Sequence, residues 1–128
     1  MKIIAVIAHF LLGLIFFLFG LNGFFHFLPM SSPPSGTAEN FIGALFVSHY
    51  LVVVFLLQII PAVLLLLNRY VPLALTLLAP IIVNIVLFHL LMAPGGLPLA
   101  MTVTVLWIVV FLSVRSAFAG LLQQRVPA

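Results

Sequence analysis

The sequence predicts an all-α membrane protein, a bundle of four transmembrane helices with both termini on the cytoplasmic side. Its 128 residues are 66% hydrophobic, with a mean hydropathy of +1.51, and five of them carry a formal charge. Four apolar runs, 3–28, 41–67, 72–92 and 98–119, each reach the roughly 20 residues that cross a bilayer. The charges lie at or beyond the ends of these runs, as expected because a charge at the bilayer centre is costly.

The whole chain, residues 1–128, is predicted to form one domain. The segments between the runs, 29–40, 68–71 and 93–97, are too short to fold separately. The longest carries the proline-rich stretch 29–37, which excludes a helix there and predicts an external cap. Pro61 and Pro80 fall inside predicted spans, where they remove a backbone donor and favour kinks.

The distribution of charge orients the predicted bundle. Four crossings place Lys2, Arg69, Arg115 and Arg125 on one side and Glu39 on the other. Because Lys and Arg are retained in cytoplasmic loops, the sequence predicts an N-in/C-in, multi-pass protein of the cell inner (plasma) membrane. The widely spaced arginines make no stripe that could follow a phosphate backbone, so no nucleic-acid partner is expected.

The glycines of the first run bear on helix packing, and the absence of cysteine restricts the chemistry of the chain. Gly13 and Gly20 are seven residues apart on one helical face, with Gly23 beside them, a pattern that favours close helix packing. The chain contains no cysteine, which excludes disulfides and thiolate metal sites within it. Any redox chemistry therefore requires a bound cofactor or a partner.

The polar residues inside the apolar runs are the candidate functional residues, because buried polar groups are costly in a bilayer unless satisfied. Counting the helical rise places five of them in the outer half of the bundle, where we predict one cofactor-binding cavity: Asn22, His26, His49, Asn84 and His89. Pro80 and Asn84 are one turn apart and are expected to face the bundle interior. His9 and Gln58 are predicted to form a separate polar pair in the inner half.

The preferred occupant of this cavity is a quinone, since the nearby phenylalanines can pack an apolar ring while neutral imidazoles address its oxygens. A haem or another porphyrin is second, because axial ligation by two histidines needs two opposed imidazoles. Each histidine taken alone is better explained by a hydrogen bond to a neighbouring helix or at the membrane interface, and the cavity is predicted from the similar depth of the three.

Four segments resemble the bacterial DoxX/DoxD-like membrane proteins. They are GLNGFFHFLP at 20–29, NRYVPLAL at 68–75, PIIVNIVLFH at 80–89 and APGGLP at 93–98. The resemblance implies a four-span inner-membrane protein of a family that includes a quinone-reducing subunit of thiosulfate oxidation and members linked to membrane redox complexes. Many relatives carry an acid in the middle of the second span, where this chain has Gln58, so a proton-carrying role there is not expected.

Two functional interpretations stay open from the sequence. In the first, the protein is a component of a membrane redox system with an outer-leaflet polar pocket for a quinone or similar cofactor. In the second, it is a non-catalytic accessory or structural subunit of a larger respiratory or photosynthetic membrane complex. Its expected partners are the lipid bilayer and a larger membrane protein complex or further copies of itself. A small-solute transporter is disfavoured because the spans contain no acid and base pair and no inverted repeat.

Overall fold

The computed structural model describes residues 2–29 and 33–127, which are helical apart from short turns and contain no strand. The five α-helices are α1 (Lys2–Phe25), α2 (Thr37–Val47), α3 (Tyr50–Leu66), α4 (Val71–Leu91) and α5 (Leu97–Val114). A 3₁₀ turn, Pro94–Gly96, precedes α5, and a 3₁₀ segment, Arg115–Leu122, follows it.

Several of these helices are long and apolar enough to cross a membrane. Three qualify on their own: Lys2–Phe25, Val71–Leu91 and the continuous helical stretch Pro94–Leu122. A fourth span results if α2 and α3 are taken together, although they are bent by 88° at the break between them. The predicted all-α membrane character is therefore supported, and the predicted runs 3–28, 72–92 and 98–119 each contain most of one helix.

The prediction of one continuous helix over 41–67 is wrong. The chain turns sharply at Ser48 and His49, where His49 has a positive φ of 63°. The Ser48 hydroxyl donates to the Leu45 carbonyl (3.3 Å) and accepts from the Tyr50 amide (3.4 Å), so it serves the end of α2 and the start of α3. Side-chain bonds of this kind give serine an alternative to continuing a helix.

The four longer helices pack around a common apolar core. Helix α1 contacts α3 and α5, and α4 contacts the same two helices. The most deeply buried large side chains of the core come from all four: Leu12, Leu65, Leu75, Leu78 and Val110. Across this core the indole N–H of Trp107 on α5 donates to the Leu75 carbonyl on α4 at 2.9 Å.

Close approach of α1 to α3 depends on the predicted glycine face. A Cβ at Gly20 would lie 2.6 Å from Cγ1 of Ile59, and one at Gly13 would lie 3.1 Å from Cβ of Leu65. A Cβ at Gly23 would overlap the ring of Phe55. The packing interpretation of these three glycines is confirmed.

The outer surface of the helices is strongly apolar. Ile3, Ile7, Val83, Leu90 and Val105 are among many large apolar residues that are more than half exposed. A soluble monomer rarely exposes contiguous apolar surface of this extent, which is typical of a face in contact with lipid.

Candidate functional site

A cavity of about 300 Å³ lies between the four longer helices. Helix α1 contributes residues from Ile15 to Gly23, α3 contributes Phe55 and Gln58, α4 contributes Ile85 and His89, and α5 contributes Leu99, Ala100 and Val103. Most of the wall is aliphatic or aromatic. Three polar side chains interrupt it: Asn22, Gln58 and His89.

Gln58 is the polar residue that the fold buries most deeply among those it describes. Only 8% of it is exposed, and within residues 2–29 and 33–127 its amide has no hydrogen-bond partner. In the same part of the chain, no fully enclosed side-chain nitrogen or oxygen lacks a partner, so the amide atoms of Gln58 must be reachable from the cavity. An unpaired amide in an apolar wall offers two donors and an acceptor to whatever enters.

His89 lines the cavity with a ring that is held on two sides. Its Nδ1 lies 2.9 Å from the Ile85 carbonyl, so in the neutral ring Nδ1 carries the proton and Nε2 is an acceptor. The ring fits against Gly96, where a Cβ would overlap Cδ2 and Nε2. The 3₁₀ turn before α5 therefore fixes the position of the imidazole.

Asn22 both ends α1 and lines the cavity. Its Oδ1 accepts from the Leu28 amide at 2.7 Å, and its backbone carbonyl accepts from the His26 amide at 2.8 Å. The chain leaves the helix through His26, whose φ is 52°. These bonds end the helix at Phe25, three residues before the predicted end, and leave the Nδ2 donors of Asn22 available to a ligand.

The predicted cavity of three histidines is not formed. His26 and His49 are exposed and occupy left-handed turn positions at the end of α1 and the start of α3, whereas only His89 lines the cavity. Histidine is one of the residues that adopts positive φ more readily, which accounts for both positions without a ligand. Of the five predicted site residues, the structure brings together Asn22 and His89.

The prediction that Pro80 and Asn84 face the interior is also wrong. Both are exposed, while the buried face of α4 carries Leu75, Leu78 and Ile82. The Asn84 amide donates to the Pro80 carbonyl at 2.8 Å, along its own helix. The side chain thereby satisfies one backbone group on the outer face instead of reaching into the cavity.

His9 and Gln58 do not form the predicted inner pair. His9 donates from Nε2 to the Leu65 carbonyl at 2.6 Å, near the end of α3. The prediction counts depth from residue 41, the outer end of the second run, and therefore places Gln58 too deep in the bundle. With α3 beginning at Tyr50, Gln58 lies about 12 Å from the start of its helix instead of about 25 Å.

The arrangement suits a neutral ligand with an apolar ring and polar atoms on its edge. The walls supply Phe16, Phe19 and Phe55, and the polar groups supply both donors and acceptors. Within the described residues no group of three or more His, Asp or Glu side chains could hold a metal ion. A single imidazole in the cavity does not provide the two that bis-histidine haem ligation needs.

Two contributors to this site were missed from the sequence. The sequence predicts Gln58 as a polar residue of the second span, but in the inner half of the bundle. It assigns Gly96 only to the segment 93–97 between two spans. Ser48 is the sequence signal that bears on the depth of Gln58. A serine can end one helix and start the next, and a break there moves the start of the span from residue 41 to residue 50. No sequence signal predicts that Gly96 would contact His89.

Comparison with known proteins gives no relative for this fold or site. The chain matches no protein-family model, no curated protein and no solved structure. Its resemblance to the DoxX/DoxD-like proteins therefore stays a prediction from the quoted segments.

Proposed function

We propose that this protein is a component of a membrane redox system in the bacterial inner (plasma) membrane and that its cavity binds a quinone headgroup. The proposal takes the chain as a DoxX-like bundle that crosses the membrane four times, with both termini in the cytoplasm. Asn22, Gln58 and His89 are the residues that would contact the ligand, and the phenylalanines would pack its ring.

The observation that carries the proposal is Gln58. Its side chain is 8% exposed and lines the cavity, and because no fully enclosed side-chain nitrogen or oxygen of residues 2–29 and 33–127 lacks a partner, its amide is open to a ligand there. A quinone carbonyl would accept from its amide, and the hydroxyl of the reduced ring would donate to Nε2 of His89. At about 300 Å³ the cavity lies at the small end of ligand sites, a size that suits one substituted ring.

Quenching of tryptophan fluorescence tests the proposal. Trp107 is the single tryptophan of the chain and follows the cavity residue Val103 by one turn of α5. Decylubiquinone and menadione, titrated into protein in lipid nanodiscs, are expected to quench it saturably. Gln58→Leu removes the amide at similar volume and should weaken binding about 2- to 12-fold, since a neutral hydrogen bond contributes about 0.5–1.5 kcal/mol.

His49→Asn is the control, because this histidine lies outside the cavity and asparagine also adopts the positive φ of this position. It should bind both probes like the unchanged protein. Quenching that does not saturate, or that is the same for Gln58→Leu and the unchanged protein, would refute quinone binding in this cavity.

A second candidate, the accessory subunit, is favoured by Asn84. This residue is exposed on the apolar outer face of α4, and its Oδ1 has no hydrogen-bond partner within the part of the chain that the structure describes. Polar residues in spans seldom face lipid, so a helix of another subunit would be expected to cover it. Asn84→Leu should then lose a stoichiometric partner that co-purifies in mild detergent, whereas Val83→Leu, beside it on the same face, should keep it. Co-purification unchanged by Asn84→Leu would remove this support.

A further inference from the structure

Helix α2 differs from the other helices in direction and in the arrangement of its side chains. It is 11 residues long and lies at 88° to α3, to which it is joined through Ser48 and His49. If α3 crosses the bilayer, a helix at a right angle to it lies parallel to the membrane plane. The exposure of its side chains indicates the surroundings in which it lies.

The most buried residues of α2 lie on one face, and its exposed residues include both polar and large apolar side chains. Ala38, Ile42 and Leu45 follow the i, i+4, i+7 spacing of one face; Ala38 is 1% exposed and the other two are half-buried. Thr37, Glu39 and Asn40 turn away from this face and are exposed. A short helix that exposes large apolar side chains at a right angle to a span suits the interface between lipid and water.

Contacts at the start of α2 hold its apolar face toward the protein and the acyl chains. Ala38 is buried, and the ring of Phe41 meets that of Phe88 on α4 edge to face at 5.8 Å between centroids. At the other end Phe46 is 64% exposed, which is unfavourable in water but suits the acyl boundary. Glu39 is exposed in the first turn, where the helix dipole favours an acid, and lies two turns before Phe46 on the same side of the helix.

We infer that α2 is an interfacial helix that binds the bilayer surface and does not form the first half of a transmembrane span. Its partner is the boundary between headgroups and acyl chains on the side of the membrane opposite Lys2 and Arg69. The second crossing of the chain is α3 alone, beginning at Tyr50. The inference is independent of what occupies the cavity.

Nitroxide depth measurements test this inference directly, because the chain has no native cysteine to interfere with labelling. Single cysteines at Ile42, Ala44, Phe46 and Val47 are spin-labelled in vesicles of phosphatidylethanolamine and phosphatidylglycerol. The ratio of collision rates with oxygen and with a water-soluble nickel chelate reports the depth of each label. A ratio is used because local packing affects both collision rates.

An interfacial helix and a span predict opposite orders of depth. In the interfacial arrangement Ile42 is deeper than Ala44 and Phe46 is deeper than Val47, since the first of each pair lies on the apolar side at about 100° per residue. In a continuous span each later residue is deeper by about 1.5 Å, so both orders reverse. The pair Phe46 and Val47 tests the same point if Ile42→Cys disturbs folding. Both residues are exposed, so labels at these two positions leave the core unchanged.

Val52 and Leu56, exposed on α3, serve as controls in which depth should increase by about 6 Å over one turn. A steady increase from Ile42 to Val47 would overturn the inference in favour of a continuous span. Four labels that all collide freely with the nickel chelate would overturn it in favour of a helix held away from the bilayer.

Discussion

Gly20→Ala adds one methyl group at a close contact between α1 and α3. The new Cβ would lie 2.6 Å from Cγ1 of Ile59 and 3.4 Å from Cβ of Gln58. Apolar carbons normally approach to about 3.5–4.0 Å, so one helix must move by about 1 Å. Because Cγ1 of a β-branched residue lies close to the backbone, a change of side-chain rotamer gives little relief.

Overpacking of this kind destabilises a well-packed core by about 1–3 kcal/mol. Gly43→Ala is the matched control, because it makes the same chemical change in a helix but has no atom within 4 Å of the new Cβ. We therefore expect Gly20→Ala to unfold at a lower fraction of sodium dodecyl sulfate in mixed micelles, measured by helical circular dichroism. The midpoint for Gly43→Ala should not fall.

An equal midpoint for Gly20→Ala and the unchanged protein would refute the close α1 to α3 contact. A loss of stability in both variants would show that replacing glycine by alanine destabilises the protein for a reason other than this contact. The expected difference between the two variants removes the general effect of alanine on helix propensity, which applies to both.

Two further predictions concern the site and the topology. Gly96→Ala should displace the His89 imidazole and weaken quenching by menadione without unfolding the protein, while Gly95→Ala, which has open space at its Cβ, should not; equal binding by the two variants would contradict the role of Gly96. A cysteine at Ser35 should react with an impermeant thiol reagent in intact cells and one at Asn68 should not, and the reverse pattern would overturn the proposed orientation.

The sequence was sufficient to predict the helical class and two of the polar residues that line the cavity. Charge placement and run length predicted long apolar helices, and the cost of intramembrane polar groups identified Asn22 and His89 as candidates. Both depend on composition and on residues close together along one helix. These are properties that a sequence expresses directly.

What the sequence did not predict depends on one backbone turn. Residues 48 and 49 contain neither glycine nor proline, and apolar residues continue on both sides of Ser48, His49 and Tyr50, so the length of the run favours a single span. The turn needs a positive φ at His49, which histidine tolerates but does not specify. Every depth on the second span was therefore counted from the wrong residue, and Gln58 was placed in the wrong half of the bundle.

The same turn links the position of α2 to the composition of the cavity. Helix α3 is 17 residues long, or about 25 Å, which is shorter than a hydrocarbon core of about 30 Å. If α3 crosses alone, as we infer, its first residues lie in the interface and α2 continues along the surface, from which Phe41 contacts Phe88, the neighbour of His89. Had the span continued straight from residue 41, Gln58 would lie about 13 Å deeper than it does relative to the start of the span. The bend therefore brings an amide from α3 level with Asn22 and His89, and this amide adds two donors and an acceptor to the groups that those residues supply.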